Sequence, residues 1–343
     1  MNTKTVGVGI SGGVDSSVAA YLLKEQGYNV IGITMKLIDD EKTNASINDA
    51  KNICTYLGIE HHVIDLQKEF KDIVISNFIN SYKEGNTPNP CVVCNKFFKF
   101  GLFYDKAKSL GCDYIATGHY AKVDDGKLYR ADVLEKDQSY FLYGINKEIL
   151  NHVIFPLQGY KDKLKIREIA KKAGLSVSNK KDSQEVCFVP NDDYKAYLND
   201  NLDDLPMTGN ICLEDGTVLG QHNGLMYYTI GQRKGLNISY TEPLYVIRFD
   251  KENNKLIVGP NESLYKNALI AKNINLLVDE LDSEIYAKVR SRGKLKRCNV
   301  TLLPNNEAKI EFLENERAIT PGQSVVFYNK DNLCLGGGII KEI

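Results

Sequence analysis

The feature that most constrains this chain lies near its start. An apolar, β-branched run over residues 5–10 leads through Ser11-Gly12-Gly13 into a helical pattern over 16–26, with Val18, Tyr21, Leu22 and Glu25 at 3–4 spacing. A strand that turns through glycines straight into a helix is the opening of a βαβ unit, and the pattern then repeats. Strands are predicted over 29–34, 61–65 and 113–118, and helices over 47–57, 68–82 and 99–110. Gly58 and Gly111 are placed to end two of those helices. Two more helices are expected over 147–152 and 163–173. This rhythm predicts an α/β fold, a parallel sheet with helices on both faces. The polar stretch 39–45 is expected as a surface loop.

After about residue 200 the pattern changes. Gly, Pro, Asn and Asp recur between short apolar runs, as in PMTGN, LEDGT, QHNG, FDKENNK and GPNES. These are turn residues at the spacing of an all-β region. Runs at 285–292, 298–303, 308–313, 324–328 and 336–340 suggest a small C-terminal antiparallel β-barrel. The expected division is a catalytic domain over 1–200, a small central domain over 201–267 and the barrel over 268–343. The length of 343 residues accommodates all three.

Charge then limits the partners. Lys and Arg number 43 against 44 Asp and Glu, so a chain that binds nucleic acid must concentrate its positive charge locally. No run approaches 18 apolar residues, and the first residues lack a secretory h-region. Eight cysteines are too few for a disulfide scaffold at this length, so reduced thiols in a cytoplasm are expected.

The glycine loop carries the first chemistry. Backbone N–H groups at a helix start point at an anion with the helix dipole behind them, and glycines let a phosphate approach the main chain. Ser11, Gly12, Gly13, Val14, Asp15, Ser16 and Ser17 are therefore candidate contacts for a phosphate, with Asp15 a candidate aid to Mg²⁺. Gly9 and Ile10, at the end of the preceding strand, are further expected contacts of the nucleotide. The loop lacks the Walker lysine. It resembles instead the PP-loop, S-G-G-x-D-S, of the ATP pyrophosphatase superfamily. That resemblance implies attack at the α-phosphate of ATP, adenylation of a substrate oxygen and release of pyrophosphate.

The cysteines carry the second. Cys91 and Cys94 follow Thr87-Pro88-Asn89-Pro90, whose prolines fix an extended approach. Such a pair chelates metal or forms a redox couple, but no second C-x-x-C completes a zinc site. Cys187 follows Lys180 and Lys181, which are expected to lower its thiol pKa. Cys54, Cys112, Cys212, Cys298 and Cys334 lie in apolar runs and read as core residues.

Taken with GISGGVDSS at 9–17, TPNPCVVCNKFFKF at 87–100, YIATGHYA at 114–121, KDQSYFLY at 136–143, KKDSQEVCF at 180–188, GLMYYTIGQRKGL at 224–236, TPGQSVVFY at 320–328 and CLGGGII at 334–340, the chain resembles the tRNA-specific 2-thiouridylases nearly end to end. The resemblance implies 2-thiolation of a wobble uridine in tRNA. Sulfur would arrive as a persulfide on Cys187 from a cysteine desulfurase or a relay protein, with Cys94 as the second catalytic cysteine. Gly118 and Met35, at strand ends, would also contact the nucleotide. Asn89, Pro90 and Cys91 would line the flipped base. His119, Lys136, Asp137, Gln138, Ser139, Arg290, Ser291 and Gln323 would meet the RNA.

Two positions depart from the family pattern: Cys91 stands where Asp is often found, and Ser291 where Tyr is often found. The first leaves a second sulfur route open, a [4Fe–4S] cluster on Cys91, Cys94 and Cys187. The run 288–297 holds six cations, and Lys288, Arg290, Arg292, Lys294 and Lys296 alternate, which on an extended strand makes one basic face. Residues 161–181 hold eight cations against Asp162 and Glu168. A monomer is expected, because no self-association stripe is evident. Two other classes remain: an ATP-dependent synthetase that transfers nitrogen, and a catalytically silent RNA-binding module.

Overall fold

The computed structural model describes residues 4–160, 162–180, 186–202 and 206–343. Its first part contains β1 (Thr5–Gly9), α1 (Val14–Glu25), β2 (Asn29–Lys36), α2 (Glu41–Leu57), β3 (Glu60–Asp65) and β4 (Tyr114–Ala116). A small hairpin, β5 (Lys122–Asp124) and β6 (Lys127–Tyr129), precedes β7 (Val153–Ile154). The main sheet is parallel throughout, in the order β3-β2-β1-β4-β7. β2 lies on one side of β1 and β4 on the other, so the chain changes direction across the sheet there. In parallel sheets the crevice beyond the carboxyl ends of such strands is where ligands bind. The sheet is buried on both faces: Val6, Val8 and Ile10 pack with Val18 and Leu23 on one side, while Ile33 and Ile115 pack with Phe103 and Ala107 on the other.

The expected loop at 39–45 is mostly helix. The Asp40 carboxylate accepts from the Thr43 N–H at 2.6 Å and starts α2 at Glu41. The first turns of α2 face water, so they carry no apolar period to betray them. The helix expected from residue 99 likewise begins earlier, at Pro90, where a proline lacking N–H fits the first turn.

The central part is a four-stranded sheet of β8 (Gly209–Cys212), β9 (Val218–His222), β10 (Tyr245–Asp250) and β11 (Lys255–Gly259), ordered β10-β11-β8-β9. It shares one apolar cluster with Phe70, Phe78 and Phe98 of the first part. The C-terminal strands are β12 (Tyr265–Leu276), β13 (Ile285–Lys288), β14 (Lys296–Leu303), β15 (Glu307–Arg317), β16 (Ser324–Tyr328) and β17 (Cys334–Glu342). They close a barrel in the order β12-β15-β14-β13-β16-β17. Closure removes every open edge. The sequence pattern had not marked β12, the longest strand.

The barrel is keyed into the first part by buried polar groups. Tyr140 donates to the Ser324 carbonyl at 2.9 Å, Ser139 meets the Tyr328 hydroxyl at 3.0 Å, and Asn275 donates to the Tyr143 and Ile145 carbonyls. Among the described residues no helix is long and apolar enough to cross a membrane.

Candidate active site

The turn after β1 is a rigid cradle at the strand crossover. Gly12 has φ +67°, and a Cβ there would run into the Ser46 carbonyl oxygen of α2. Gly13 precedes α1 in an extended conformation, with no side-chain cap on the helix start. The Ser16 hydroxyl accepts from the Ser11 N–H at 3.1 Å, and the Ser17 hydroxyl donates to the Gly13 carbonyl at 2.7 Å. Gly118, just past β4, presses on the same turn: a Cβ there would lie 2.9 Å from the Ser16 nitrogen. Gly9 and Ile10 lead into the turn, Val14 is buried behind it, and Met35, next to last in β2, lies between two apolar clusters.

Lysines from 162–180 close one side of this cradle. Lys163 contacts Asp15 at 2.5 Å, while Tyr120 donates to the other oxygen of Asp15 at 2.9 Å. Lys180 donates to the Gly12 carbonyl at 3.0 Å and to Asp49 at 2.8 Å. Arg167 holds the Ser178 and Lys180 carbonyls. Part of this basic segment is therefore built into the loop rather than spread over a solvated face. Asp15 is already engaged, and no three His, Cys, Asp or Glu side chains among the described residues come together to hold a metal ion. The donor set fits a polyphosphate, whose own oxygens would supply most ligands of a magnesium ion, and the described residues do not favour a cluster on Cys91, Cys94 and Cys187.

The thiols lie on a different support. Thr87 and Pro88 lie outside any helix or strand, Asn89 sits before the helix, and Pro90–Cys94 forms its first turns. The barrel clamps the entry: Gln323 donates to the Thr87 and Pro88 carbonyls at 3.1 and 3.2 Å, and Thr87 N–H donates to the Pro321 carbonyl. After Cys94 the helix widens to π geometry over Asn95–Leu102. Such widened turns are rare and concentrate at functional sites.

Aromatic packing carries Cys187 to this helix. Phe188, its neighbour, meets Phe70 edge-on at 5.7 Å, and Phe70 meets Phe98 at 5.4 Å. Phe188 also touches Phe78 at 5.2 Å and Tyr197 at 5.5 Å. Edge-to-face pairs each contribute about 0.5–1.5 kcal/mol beyond area burial. Cys94 and the residues flanking Cys187, 93 positions apart in sequence, thus pack on one apolar cluster, and the two thiols are close enough to interact electrostatically.

All three thiols are free; Cys91 and Cys187 are exposed and Cys94 is half-buried. Crowding by protein pushes Cys187 up to about 11, and charge on Cys94 or Cys91 would push it further. Crowding by surrounding protein also raises Cys91 and Cys94, against the pull of Lys99. The expected activation of Cys187 by Lys180 and Lys181 does not hold. Lys180 is spent on Gly12 and Asp49, Lys181 lies outside the described residues, and among the described residues the opposing cation is Lys99. The five remaining cysteines are buried, as their apolar surroundings predicted.

His119 stands between loop and thiols. Its Nδ1 is 2.7 Å from the Thr117 hydroxyl and its Nε2 is 3.4 Å from the Lys99 ammonium. Burial, then Lys99, holds its pKa well below the usual value.

Several expected RNA contacts are internally engaged. Asp137 has no exposed side-chain surface; it accepts from Arg130, the Ala131 and Ser139 N–H groups and the Ser139 hydroxyl, with Lys288 at 3.7 Å. Gln138 accepts from the Tyr120 N–H. Arg290 donates to the Ile230 and Ala318 carbonyls and to Thr320. Lys136 is exposed; Ser291 is half-buried, and its carbonyl accepts from Lys288. The basic strand face over 288–297 does not form, because β13 ends at Lys288, which is buried against Tyr140 and Tyr328, and residues 289–295 turn. Sequence reasoning missed Lys99, Lys163 and Tyr120. Only their closeness to Cys94 or His119, or their place in the basic segment, hinted at them.

Three family models match in order: the tRNA methyl transferase HUP domain over 4–191, the tRNA methyl transferase PRC-barrel domain over 195–260 and the aminomethyltransferase beta-barrel domain over 266–340. The chain is 48% identical over 354 residues to a tRNA-specific 2-thiouridylase MnmA 1 of Clostridium tetani, covering 99% of this chain and 97% of that one. It is 47% identical to the Fusobacterium nucleatum MnmA 1, covering 98% and 93%, and 44% identical to the Clostridium perfringens MnmA over the full length of both. This chain belongs to the tRNA-specific 2-thiouridylase family. Within that family, the glycine turn, the Cys91–Cys94 helix and Cys187 are drawn together by the strand crossover and the aromatic cluster described above.

Proposed function

We propose that this chain converts the wobble uridine of tRNA to 2-thiouridine, with ATP as co-substrate and a cysteine persulfide as sulfur source. The observation that carries the reading is the pair of Cys94 and Cys187 in one crevice, next to a phosphate cradle at the strand crossover. The family models are described by methyl transfer; coupled thiols beside such a cradle are the equipment of sulfur transfer instead.

The cradle from Gly9 to Ser16, with Met35 and Gly118, binds ATP and leaves its α-phosphate open. Lys163 and Lys180 stand ready beside the phosphates. Asn89, Pro90, Cys91 and His119 border the flipped base, while Lys136 and the half-buried Ser291 lie at the tRNA side. The base 2-oxygen takes the adenylyl group and pyrophosphate leaves, which turns a poor leaving group into AMP. The terminal sulfur of a Cys187 persulfide, as the anion, then bonds to C2, and the C2–O bond breaks to release AMP. Cys94 thiolate attacks the Cys187 sulfur of the resulting C2–S–S link. The S–S pair passes to the C2 sulfur, a Cys94–Cys187 disulfide forms, and a proton returns to N3 to give the thione. A dithiol reductant resets the cysteines, and a cysteine desulfurase or relay protein reloads Cys187. The reducing environment this cycle needs is that of a cytoplasm.

Incubation with tRNA, ATP, Mg²⁺, a persulfide donor and dithiol, followed by mass spectrometry of anticodon nucleosides, tests the reading. It predicts 2-thiouridine at the wobble position with one AMP and one pyrophosphate each. ATP turnover without sulfur incorporation, unchanged in Cys94→Ala, would instead favour the nitrogen-transferring synthetase.

A further inference from the structure

Lys99 joins the two halves of the site, and nothing in the sequence motifs gave it a role. It lies five residues after Cys94, within the π-helical stretch Asn95–Leu102. In an α-helix a residue five places on points about 140° away. A π turn closes at i+5, so the widening rotates Lys99 back toward the face of Cys94. At the other end, its ammonium lies 3.4 Å from His119 Nε2. An ammonium donates and never accepts, so His119 Nε2 must be the acceptor. The His119 proton is therefore on Nδ1, donated to the Thr117 hydroxyl at 2.7 Å. His119 is a neutral, fixed acceptor that holds the lysine in place. It follows Gly118, which touches the Asp15–Ser16 backbone of the phosphate turn. The ammonium thus stands between the thiol helix and the nucleotide cradle.

We propose that Lys99 is the cation that stabilises the sulfur anions on Cys94 and Cys187 during sulfur transfer, with His119 as the positioning residue that orients it. This role rests on the thiolation reading for its purpose, though not for its test. Among the described residues, Lys99 is the cation that opposes the raised thiols at Cys91, Cys94 and Cys187. Among the described residues, the titratable groups coupled to Cys187 are Cys91, Cys94, Lys99 and Tyr197. The orientation also explains why a neutral imidazole is present: a protonated His119 would repel Lys99 and release it from the crevice.

Iodoacetamide alkylation of the nucleotide-free full chain, resolved by peptide mass spectrometry across pH 7–11, tests this without tRNA or ATP. In folded Lys99→Met, alkylation of both Cys94 and Cys187 at a given pH should fall about three- to tenfold, because thiolate fraction sets the rate. The whole pH profile should shift upward, and Lys99→Arg should restore it. Lys99→Gln substitutes should the methionine variant not fold. In thiolation assays the same variants should lower kcat and leave KM for tRNA unchanged. An unmoved alkylation profile in a folded Lys99→Met or Lys99→Gln protein overturns the proposal, as does a Lys99→Arg variant as slow as either. A normal profile shift with no thiolation by any variant, the unsubstituted chain included, would contradict the functional reading alone.

Discussion

The phosphate turn and the cysteine crevice are built in opposite ways. The turn comes mainly from one contiguous stretch, Ser11–Ser17, with its hydroxyls already bonded and its glycine backbone fixed by Ser46. It is preformed and gains nothing by waiting. The crevice is assembled from a helix, a strand end and a segment 93 residues away, and its thiols are protonated at neutral pH. A preformed anion site binds ATP at once, whereas protonated thiols stay quiet until a persulfide or a bound base changes their surroundings. A site that carries sulfur thereby avoids spending it on stray electrophiles.

This contrast can be broken most sharply at Cys187. Cys187→Ser should lower thiolation by at least about a thousandfold. ATP binding, measured by calorimetry, should stay within about twofold; equal loss of both would make the cysteine structural. Gly12→Ala should do the reverse, because both its φ and the Ser46 carbonyl oppose a side chain. ATP affinity should fall about a hundredfold, while alkylation of Cys94 and Cys187 is unchanged. Phe188→Ala removes the ring that ties Cys187 to Phe70 and Phe78. It should lower unfolding free energy by about 3 kcal/mol in denaturant titration.

Acid–base behaviour sharpens the comparison further. The thiol of Cys187 is raised to about 11, so its alkylation should rise about tenfold per pH unit from 7 to 10 and level off near 11. Burial raises Cys298 and Cys334 to about 12. Their unfolded thiols ionise near 9, so the folded state holds the proton longer. That contribution to stability is full below pH 9 and is lost as pH climbs from 9 to 12. Thermal melts should be flat on this account up to pH 9 and fall above it.

How much could be read in advance follows the same division. The strands β1–β4 and the turn were legible because β-branched runs, glycines and helix periods are local signals. The start of α2 was not, since a solvent-facing turn capped by Asp40 has no apolar rhythm. Asp137, Ser139 and Lys288 look like free polar residues in sequence, yet they serve the joint between barrel and first domain, and Arg290 ties the C-terminal part to Ile230. Nothing local reveals the pairing of Asp137 with Lys288 or of Ser139 with Tyr328, because those partners lie more than 100 residues away. Lys99 was invisible for a related reason: its value depends on a π turn and on His119, and periodicity at 3.6 places it on the wrong face.

The most direct measurement is a single turnover of chain preloaded with persulfide on Cys187, given tRNA and ATP without reductant. One 2-thiouridine should appear for each intrachain Cys94–Cys187 disulfide, both counted by mass spectrometry. Full product from Cys94→Ser, or turnover that leaves Cys94 as free thiol, would contradict two facing cysteines as the engine of sulfur transfer.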